Sequence, residues 1–206
     1  MGTDVTAAYA ARASEYAEHL GSMDRVHADD RQHVTAWAAG AGERILDAGC
    51  GPGHWSAHLA NRGHAVLGID AVPWFVDHAQ RVHGGAGAHG GSAAFRVGSV
   101  DALDLQDRTV DGVLAWYSLI HHAPDHLAVP LAEIRRVLRP GGSLLVGFFE
   151  GPTVEPFDHA VVGAHRWSVP AMVDVLVDQG FDVHDTRTRT DDGQRPHAAV
   201  TAATRG

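Results

Sequence analysis

The sequence predicts an α/β protein. Its frame is a doubly wound, mostly parallel sheet of seven strands, with the last strand antiparallel and a helical cap at the N-terminus. Three patterns carry this. Short apolar runs alternate with helix-length amphipathic stretches from residue 43 onward. The run VDGVLAWYS (110–118) is apolar almost throughout, as a strand covered on both faces of a parallel sheet must be. FDVHDTRTR (181–189) and HAAVTAATR (197–205) instead alternate polar and apolar residues around a turn at Asp192-Gly193, the mark of an antiparallel edge pair.

Residues 4–39 read as helix, broken at Gly21-Ser22 and ended by Gly40 to Gly42. ERILDAG (43–49) is the first strand, and the stretch after Gly53 is a helix that stops at Gly63. HAVLGID (64–70) is the second strand, and Pro73 suits the first turn of a helix reaching about Val82. GGAGAHGGS (84–92) reads as a flexible surface connection. FRVGS (95–99) and 110–118 are strands three and four. A helix over 125–138 is closed by Arg139, Pro140, Gly141 and Gly142, and SLLVGFFE (143–150) is strand five. A loop with Pro152 and Pro156 follows, then a helix over 168–180 with Ser168 as N-cap and Gly180 as its stop. The whole chain, 1–206, reads as one domain, with 1–42 as the cap and 43–206 as the α/β core.

Composition narrows the function. With 206 residues the chain can bury a core without disulfides or metals, and its single cysteine, Cys50, admits no intrachain disulfide. That suits a reducing, cytoplasmic location. The N-terminus has no basic segment followed by an apolar one, and no stretch is long and apolar enough to span a bilayer. A net charge of −9 weighs against duplex nucleic-acid binding, which rests on basic residues at phosphates. The 16 histidines read as a composition bias that makes net charge sensitive to mild acidification.

Chemistry concentrates at ILDAGCGPGHW, where Asp47, Gly49, Gly51 and Gly53 form a glycine loop between the first strand and the next helix. Open α/β sheets bind ligands there, and glycine lets the backbone approach a ligand closely. A dinucleotide fingerprint needs glycine or alanine where His54 stands, and no G-K-[ST] follows, which excludes a triphosphate P-loop. Asp70, 21 residues beyond Gly49, ends the second strand, where a carboxylate can accept both hydroxyls of a ribose. Gly98-Ser99-Val100-Asp101 follows strand three, where an adenine edge would lie with the ribose on Asp70. RVLRPGGSLLV (136–146) makes a tight glycine turn into strand five.

Together, D-x-G-x-G-x-G at 47–53, the acidic end of strand two and L-R-P-G-G at 138–142 resemble the class I S-adenosylmethionine-dependent methyltransferases, which have a Rossmann-like sheet. The late strand pair is similar to their reversed final hairpin. Tyr9, Ala13 and Tyr16 match the Y-x-x-x-A-x-x-Y of the opening helix in the small-molecule, ubiquinone-biosynthesis and "type 11" subgroup. The resemblance spans residue 5 to the end. It implies that Asp47, Gly49 and Gly51, with Gly53 in the same loop, hold the methionine end of S-adenosylmethionine, and that Asp70 binds the ribose. It implies that Ala71 and Phe75 lie along ribose and adenine, and that the Trp116 backbone lies near the amino group. It implies too that Tyr9 and Tyr16 close over the methyl donor. Ser99 stands where the family has an aspartate for the adenine amino group, and the Val100 N–H serves a ring nitrogen. Val72 replaces the serine that would cap the helix at Pro73.

The reaction implied is transfer of a methyl group to an oxygen, nitrogen or carbon of a small-molecule acceptor, leaving S-adenosylhomocysteine. Such a displacement needs alignment first and a base only for some acceptors. The candidate bases are His121 and His122 in SLIHHAPD and Glu150 in FFEG, all at the ligand edge of the sheet. Adjacent histidines cannot both point inward, and His121 is preferred. His54 and His58, at i and i+4, raise a zinc reading, but there is no H-E-x-x-H and no cysteine cluster, so no metal is assigned. His58 is placed on the solvent-facing or partly exposed side of its helix. Cys50 reads as a small residue packed under the loop. Tyr117 and the loop 151–167, with Phe157, His159, His165 and Trp167, are candidates to line an acceptor pocket.

Three rival readings stand beside this one. A protein of the same fold that binds S-adenosylmethionine could have a non-methylating or regulatory role. An NAD-dependent oxidoreductase is opposed by His54 and the late hairpin. An RNA methyltransferase is opposed by the charge and by the lack of an N-P-P-Y-like motif after strand four. The sequence leaves open monomer or homodimer, and expects no nucleic-acid or membrane partner.

Overall fold

A computed structural model describes residues 3–205; Met1, Gly2 and Gly206, assigned above to the same unit, lie outside the described residues. The elements are α1 (Thr3–Leu20), α2 (Ala28–Ala41), β1 (Arg44–Ala48), α3 (His54–Ala60), β2 (Ala65–Asp70), α4 (Pro73–His83), β3 (Gly85–Ala86) and β4 (Ser92–Val97). They continue with β5 (Val110–Trp116), α5 (Ala128–Val137), β6 (Leu138–Phe149), β7 (Glu155–Phe157), β8 (Ala164–Arg166), α6 (Val169–Asp178), β9 (Phe181–Arg189) and β10 (His197–Thr204).

The main sheet runs β3-β4-β2-β1-β5-β6-β10-β9. The strands β4, β2, β1, β5 and β6 are parallel, and β10 is antiparallel to both β6 and β9. Strand order reverses at β1, so a crevice opens beyond the carboxyl ends of β1, β2, β4 and β5. The sequence reading of the sheet holds, with one strand more than the seven it expects.

That extra strand comes from the glycine-rich stretch. Gly85 and Ala86 pair antiparallel with β4, so 84–92 is not a flexible connection. Its glycines serve close packing: a Cβ on Gly87 or Gly91 would meet the Ala60 carbonyl oxygen at 2.6 or 2.1 Å. Three further details differ. The stretch 125–138 divides into a 3-10 turn at Pro124–His126 and α5. β6 begins at Leu138, paired with Val110, and bulges through Pro140-Gly141-Gly142 before Ser143 pairs with Gly112. The loop after β6 also carries a hairpin, β7 with β8.

Both faces of the sheet are covered. α5 and α6 bury Leu131, Ile134, Met172 and Leu176 on one face, and α2, α3 and α4 bury Val34, Trp37, Leu59 and Val76 on the other. Each such side chain contributes about 1.5–3 kcal/mol by leaving water. The predicted cap therefore splits. α2 is part of the core layer, and Trp37 Nε1–H donates to Ser143 Oγ at 2.8 Å. Only α1 lies over the strand ends, seated through Ala13, Tyr9 and Tyr16 on Val72 and Phe75.

Candidate active site

The glycine loop is shaped by contacts that a side chain would break. Gly49 and Cys50 N–H donate to Ile69 O at 2.7 and 3.0 Å, which draws the loop onto the end of β2. Gly49 has φ +79°, and a Cβ there would lie 2.3 Å from Ser118 Cβ. Gly53 has φ +87°, and its Cβ would meet Ala79 Cβ at 2.7 Å and the Phe95 ring at 2.9 Å. Gly49 and Gly51 thus border the cavity, whereas Gly53 brings α3 close to α4 and β4 and does not border it. Cys50 is buried beneath the loop, and burial pushes its thiol up.

Two buried carboxylates flank the loop. Asp70 accepts from Gly51 N–H through Oδ2 and from Val72 N–H through Oδ1, both at 2.9 Å. It also lines the cavity. Burial raises its pKa, and these backbone donors oppose the rise. Asp47, at the end of β1, accepts from Ser56 Oγ–H at 2.6 Å. Full burial pushes its carboxyl up to about 7.

The roof is aromatic. Tyr9, Tyr16 and Phe75 form a trio with centroids 5.5 to 6.2 Å apart, and all three line the inner cavity with Ala71, Ser99, Val100 and Trp116. Burial pushes the Tyr16 phenol up to about 12 and raises that of Tyr9 further, so both stay protonated. Ser99 Oγ accepts from Asp101 N–H at 3.1 Å, capping its own turn while facing the cavity. Sequence reasoning missed Ser118. Its buried Oγ has no partner among the described residues and borders the same cavity. A polar atom so placed wants a ligand group, but nothing in the residue type marks it beforehand.

The three candidate bases go to different places. His121 lines the cavity, with Nε2 2.9 Å from Tyr9 Oη and Nδ1 3.0 Å from Gly163 O. Burial lowers its pKa. His122 turns away and is buried. Its Nε2 lies 2.7 Å from Asp101 Oδ1 and its Nδ1 3.3 Å from Leu119 O, so neither nitrogen offers a lone pair to the cavity. Glu150 follows β6, bridged to Trp167, and lies outside the lining of the cavity and the cleft.

Beyond the inner cavity a cleft of about 670 Å³ continues between α1 and the sheet. Tyr117, just after β5, has φ +57°, a strain of about 1–3 kcal/mol in a residue other than glycine. The surrounding structure holds it there. Its N–H donates to Gly147 O at 3.0 Å, and its hydroxyl lies 2.5 Å from His197 Nδ1. The strain aims its ring into the cleft beside Trp116, Phe149, His159 and His197. α1 is clasped to the β7–β8 connection, since the Arg12 guanidinium donates to Ala160 O.

His58 corrects the expectation of exposure. α2 covers it, and it is only 8% exposed. Its Nε2–H donates to Thr35 Oγ1 at 2.8 Å, while Arg62 donates to Nδ1 at 3.1 Å. Both ring nitrogens are thus engaged and turned from His54. Among the described residues no three His, Cys, Asp or Glu side chains are grouped to hold a metal ion.

Comparison with known proteins bears on the domain and the fold. Residues 45–142 match the family described as a methyltransferase domain. A malonyl-[acyl-carrier protein] O-methyltransferase of Erwinia billingiae (strain Eb661) is 29% identical over 141 residues, which are 68% of this chain and 51% of that protein. A ubiquinone biosynthesis O-methyltransferase of Xanthomonas oryzae pv. oryzae (strain PXO99A) is 32% identical over 159 residues, 76% of this chain and 64% of that one. The chain thus spans about half to two thirds of the length of these relatives. Burkholderia thailandensis 1,6-didemethyltoxoflavin-N1-methyltransferase, solved with 1,6-didemethyltoxoflavin and S-adenosylhomocysteine, superposes with a TM-score of 0.75 at 22% identity. The match covers 100% of this chain and 92% of that one, and it shows a shared fold.

Proposed function

We propose that the protein, whose residues 45–142 match a methyltransferase domain, transfers a methyl group from S-adenosylmethionine to an oxygen, nitrogen or carbon of a small-molecule acceptor. The observation that carries this reading is the buried Asp70 carboxylate. It ends β2, clamps the glycine loop through Gly51 N–H, and forms one wall of a cavity roofed by Tyr9 and Tyr16. The residues fit the cofactor on independent grounds. Gly49 and Gly51 leave backbone open at the cavity, and the orphaned Ser118 hydroxyl waits for a polar partner there.

S-adenosylmethionine brings an already activated methyl group. The protein then has to bind, orient and dry the reaction. In this reading Asp70 accepts the ribose hydroxyls. Ser99 and the Val100 N–H edge the adenine, and Ala71 and Phe75 lie along it. Asp47 and the loop from Gly49 to Gly51 face the methionine end, with the Trp116 backbone opposite. α1 excludes water through Tyr9 and Tyr16, and His121 is the base where an acceptor must lose a proton. Glu150 and His122 take no part, because neither reaches the cavity.

The same proposal treats the chain as one methyltransferase unit acting in the cytoplasm on a small molecule rather than on nucleic acid. The net charge of −9 and the buried, unpaired Cys50 support it. Among the described residues no helix is long and apolar enough to cross a membrane.

Isothermal calorimetry with S-adenosylmethionine and S-adenosylhomocysteine tests the reading. Micromolar binding of both is expected, followed by release of S-adenosylhomocysteine with an acceptor from a small-molecule panel. Absence of binding would overturn it, and binding without release from any acceptor would favour a non-methylating role.

A further inference from the structure

The outer cleft differs in chemistry from the cavity beneath α1. Its inner wall is a run of rings. Tyr117 and Phe149 lie 5.0 Å apart by centroid, and His197 lies 5.6 Å from Tyr117 and 5.2 Å from Phe149. His159 lies 6.0 Å from Phe149 and continues the run toward His121, 5.2 Å away, at the cavity. Phe157 backs Phe149 at 5.3 Å. Faces and edges of this kind suit a flat ligand, since offset and edge-to-face contacts are the favoured ring geometries.

The polar atoms on this wall are donors. With the Tyr117 hydroxyl donating to His197 Nδ1, the Nε2–H of a neutral His197 is left to donate. The Val161 N–H donates to His159 Nδ1 at 3.4 Å, so His159 likewise carries its proton on Nε2. Burial holds the His159 pKa down to about 4 and lowers that of His197, so both rings are neutral near pH 7.

Formal charge in the cleft is already balanced or acidic. Arg189 is paired with Asp30 at 2.9 Å and with Asp191. Beside Arg189 and Arg25 the outer lining holds three carboxyl groups, those of Asp30, Asp191 and Asp192, with Asp47 at the cofactor end. Among the described residues the half-buried cation of the lining, Arg189, is already paired, so an anionic acceptor would compete with Asp30 and Asp191 for it, and an acidic carrier protein would meet a mouth of the wrong sign.

We infer that the cleft takes a small, flat, uncharged aromatic or heteroaromatic acceptor, stacked on Tyr117 and Phe149 and held by hydrogen bonds from His159 and His197 to its ring oxygen or nitrogen acceptors. This deepens the methyl-transfer reading and rests on it. The ring run leads to His121 and the cavity, so an acceptor lying along the wall reaches the donor edge-on.

The test uses the full chain saturated with S-adenosylhomocysteine and measures binding by calorimetry. The probes are 2,3-dihydroxynaphthalene, 2-quinolone, 3,4-dihydroxybenzoate and the malonyl thioester of N-acetylcysteamine. The two neutral ring probes are expected to bind about ten-fold more tightly than the benzoate or the thioester. Phe149→Leu and His159→Ala should each weaken ring binding about five-fold while leaving S-adenosylhomocysteine affinity unchanged. His159 is half-buried on a loop, so its variant reports even where Phe149→Leu folds poorly. Tighter binding of the benzoate or the thioester would overturn the inference. So would failure of both ring probes on the saturated protein, or ring binding indifferent to His159→Ala. Failure of S-adenosylhomocysteine itself to bind would overturn the cofactor reading, and this inference with it.

Discussion

Tyr9 Oη and His121 Nε2 lie 2.9 Å apart, joining α1 to the segment after β5 across the mouth of the cavity. The direction of that bond follows from the other face of the imidazole. His121 Nδ1 lies 3.0 Å from Gly163 O, a pure acceptor, so Nδ1 carries the proton and Nε2 accepts from the phenol. His121 is therefore engaged as long as Tyr9 is in place, and any proton it takes from an acceptor passes through the Tyr9 oxygen or waits until α1 moves.

Removing either partner should loosen the same closure. Tyr9→Phe keeps the ring packing on Tyr16 and Phe75 and loses one hydrogen bond, worth about 1 kcal/mol. S-adenosylhomocysteine affinity should fall about five-fold, with little change in melting temperature. His121→Ala should give a similar loss, and the double variant should add little to either single one. Where the acceptor needs deprotonation, His121→Ala should also lower turnover by about 100-fold or more. Additive losses in calorimetry would mean that the two side chains act separately.

Asp70→Ala tests the ribose wall, and its effect should divide in two. Without ligand, Gly51 N–H and Val72 N–H lose their acceptor, and each buried unpaired donor costs about 1–3 kcal/mol. Melting temperature should fall before any ligand is added. S-adenosylhomocysteine affinity should drop by about 100-fold beyond that, the loss of two charge-assisted hydrogen bonds. A variant that melts early yet binds as tightly as wild type would confine Asp70 to holding the loop.

Ser118→Ala should do the reverse. The hydroxyl is buried and unpartnered, so its removal should leave the ligand-free protein as stable or up to about 1 kcal/mol more stable. S-adenosylhomocysteine binding should weaken about five-fold if the bound cofactor supplies the missing partner. Thermal unfolding with and without S-adenosylhomocysteine measures both. A destabilised ligand-free variant would show that the hydroxyl has a structural partner.

Why Asp70 was legible in the sequence and Ser118 was not is a matter of local against long-range signals. Asp70 ends an apolar run at a fixed distance from the glycine loop, and strand, turn and carboxylate all lie within one short stretch. Ser118 matters only because Gly49, far away in the chain, leaves room for it. The histidine pair shows the same limit. Adjacent positions must diverge, but only the carbonyl of Gly163 and the carboxylate of Asp101 decide which ring faces inward. Gly84 to Gly91 read as flexible because glycine costs most entropy to order. The absence of Cβ atoms is what lets this backbone pack on the end of α3. His58 was misplaced because the helix that buries it is α2, and a helical period fixes which residues share a face without saying what covers it.

Buried neutral histidines set the last expectation, for stability against pH. Burial holds His54, His58, His122 and His159 down to about 4 in the folded protein. Each titrates near about 6.5 when unfolded. Between those values the unfolded chain binds more protons, so their contribution is complete above about pH 6.5 and is lost as pH falls toward 4. Asp47 and Asp70 oppose this. Their folded pKa values are raised, Asp47 to about 7, so what they contribute is greatest at low pH and fades as pH rises through the folded value. Backbone donors limit the rise at Asp70, so the four histidines prevail and stability should increase from about pH 4.5 to 6.5. His58 is the sharpest probe. A proton on its Nδ1 would face the Arg62 guanidinium 3.1 Å away. His58→Gln should therefore flatten the slope of urea-unfolding stability against pH, although it costs stability at neutral pH through the lost bond to Thr35. A slope unchanged in that variant would place the proton uptake elsewhere.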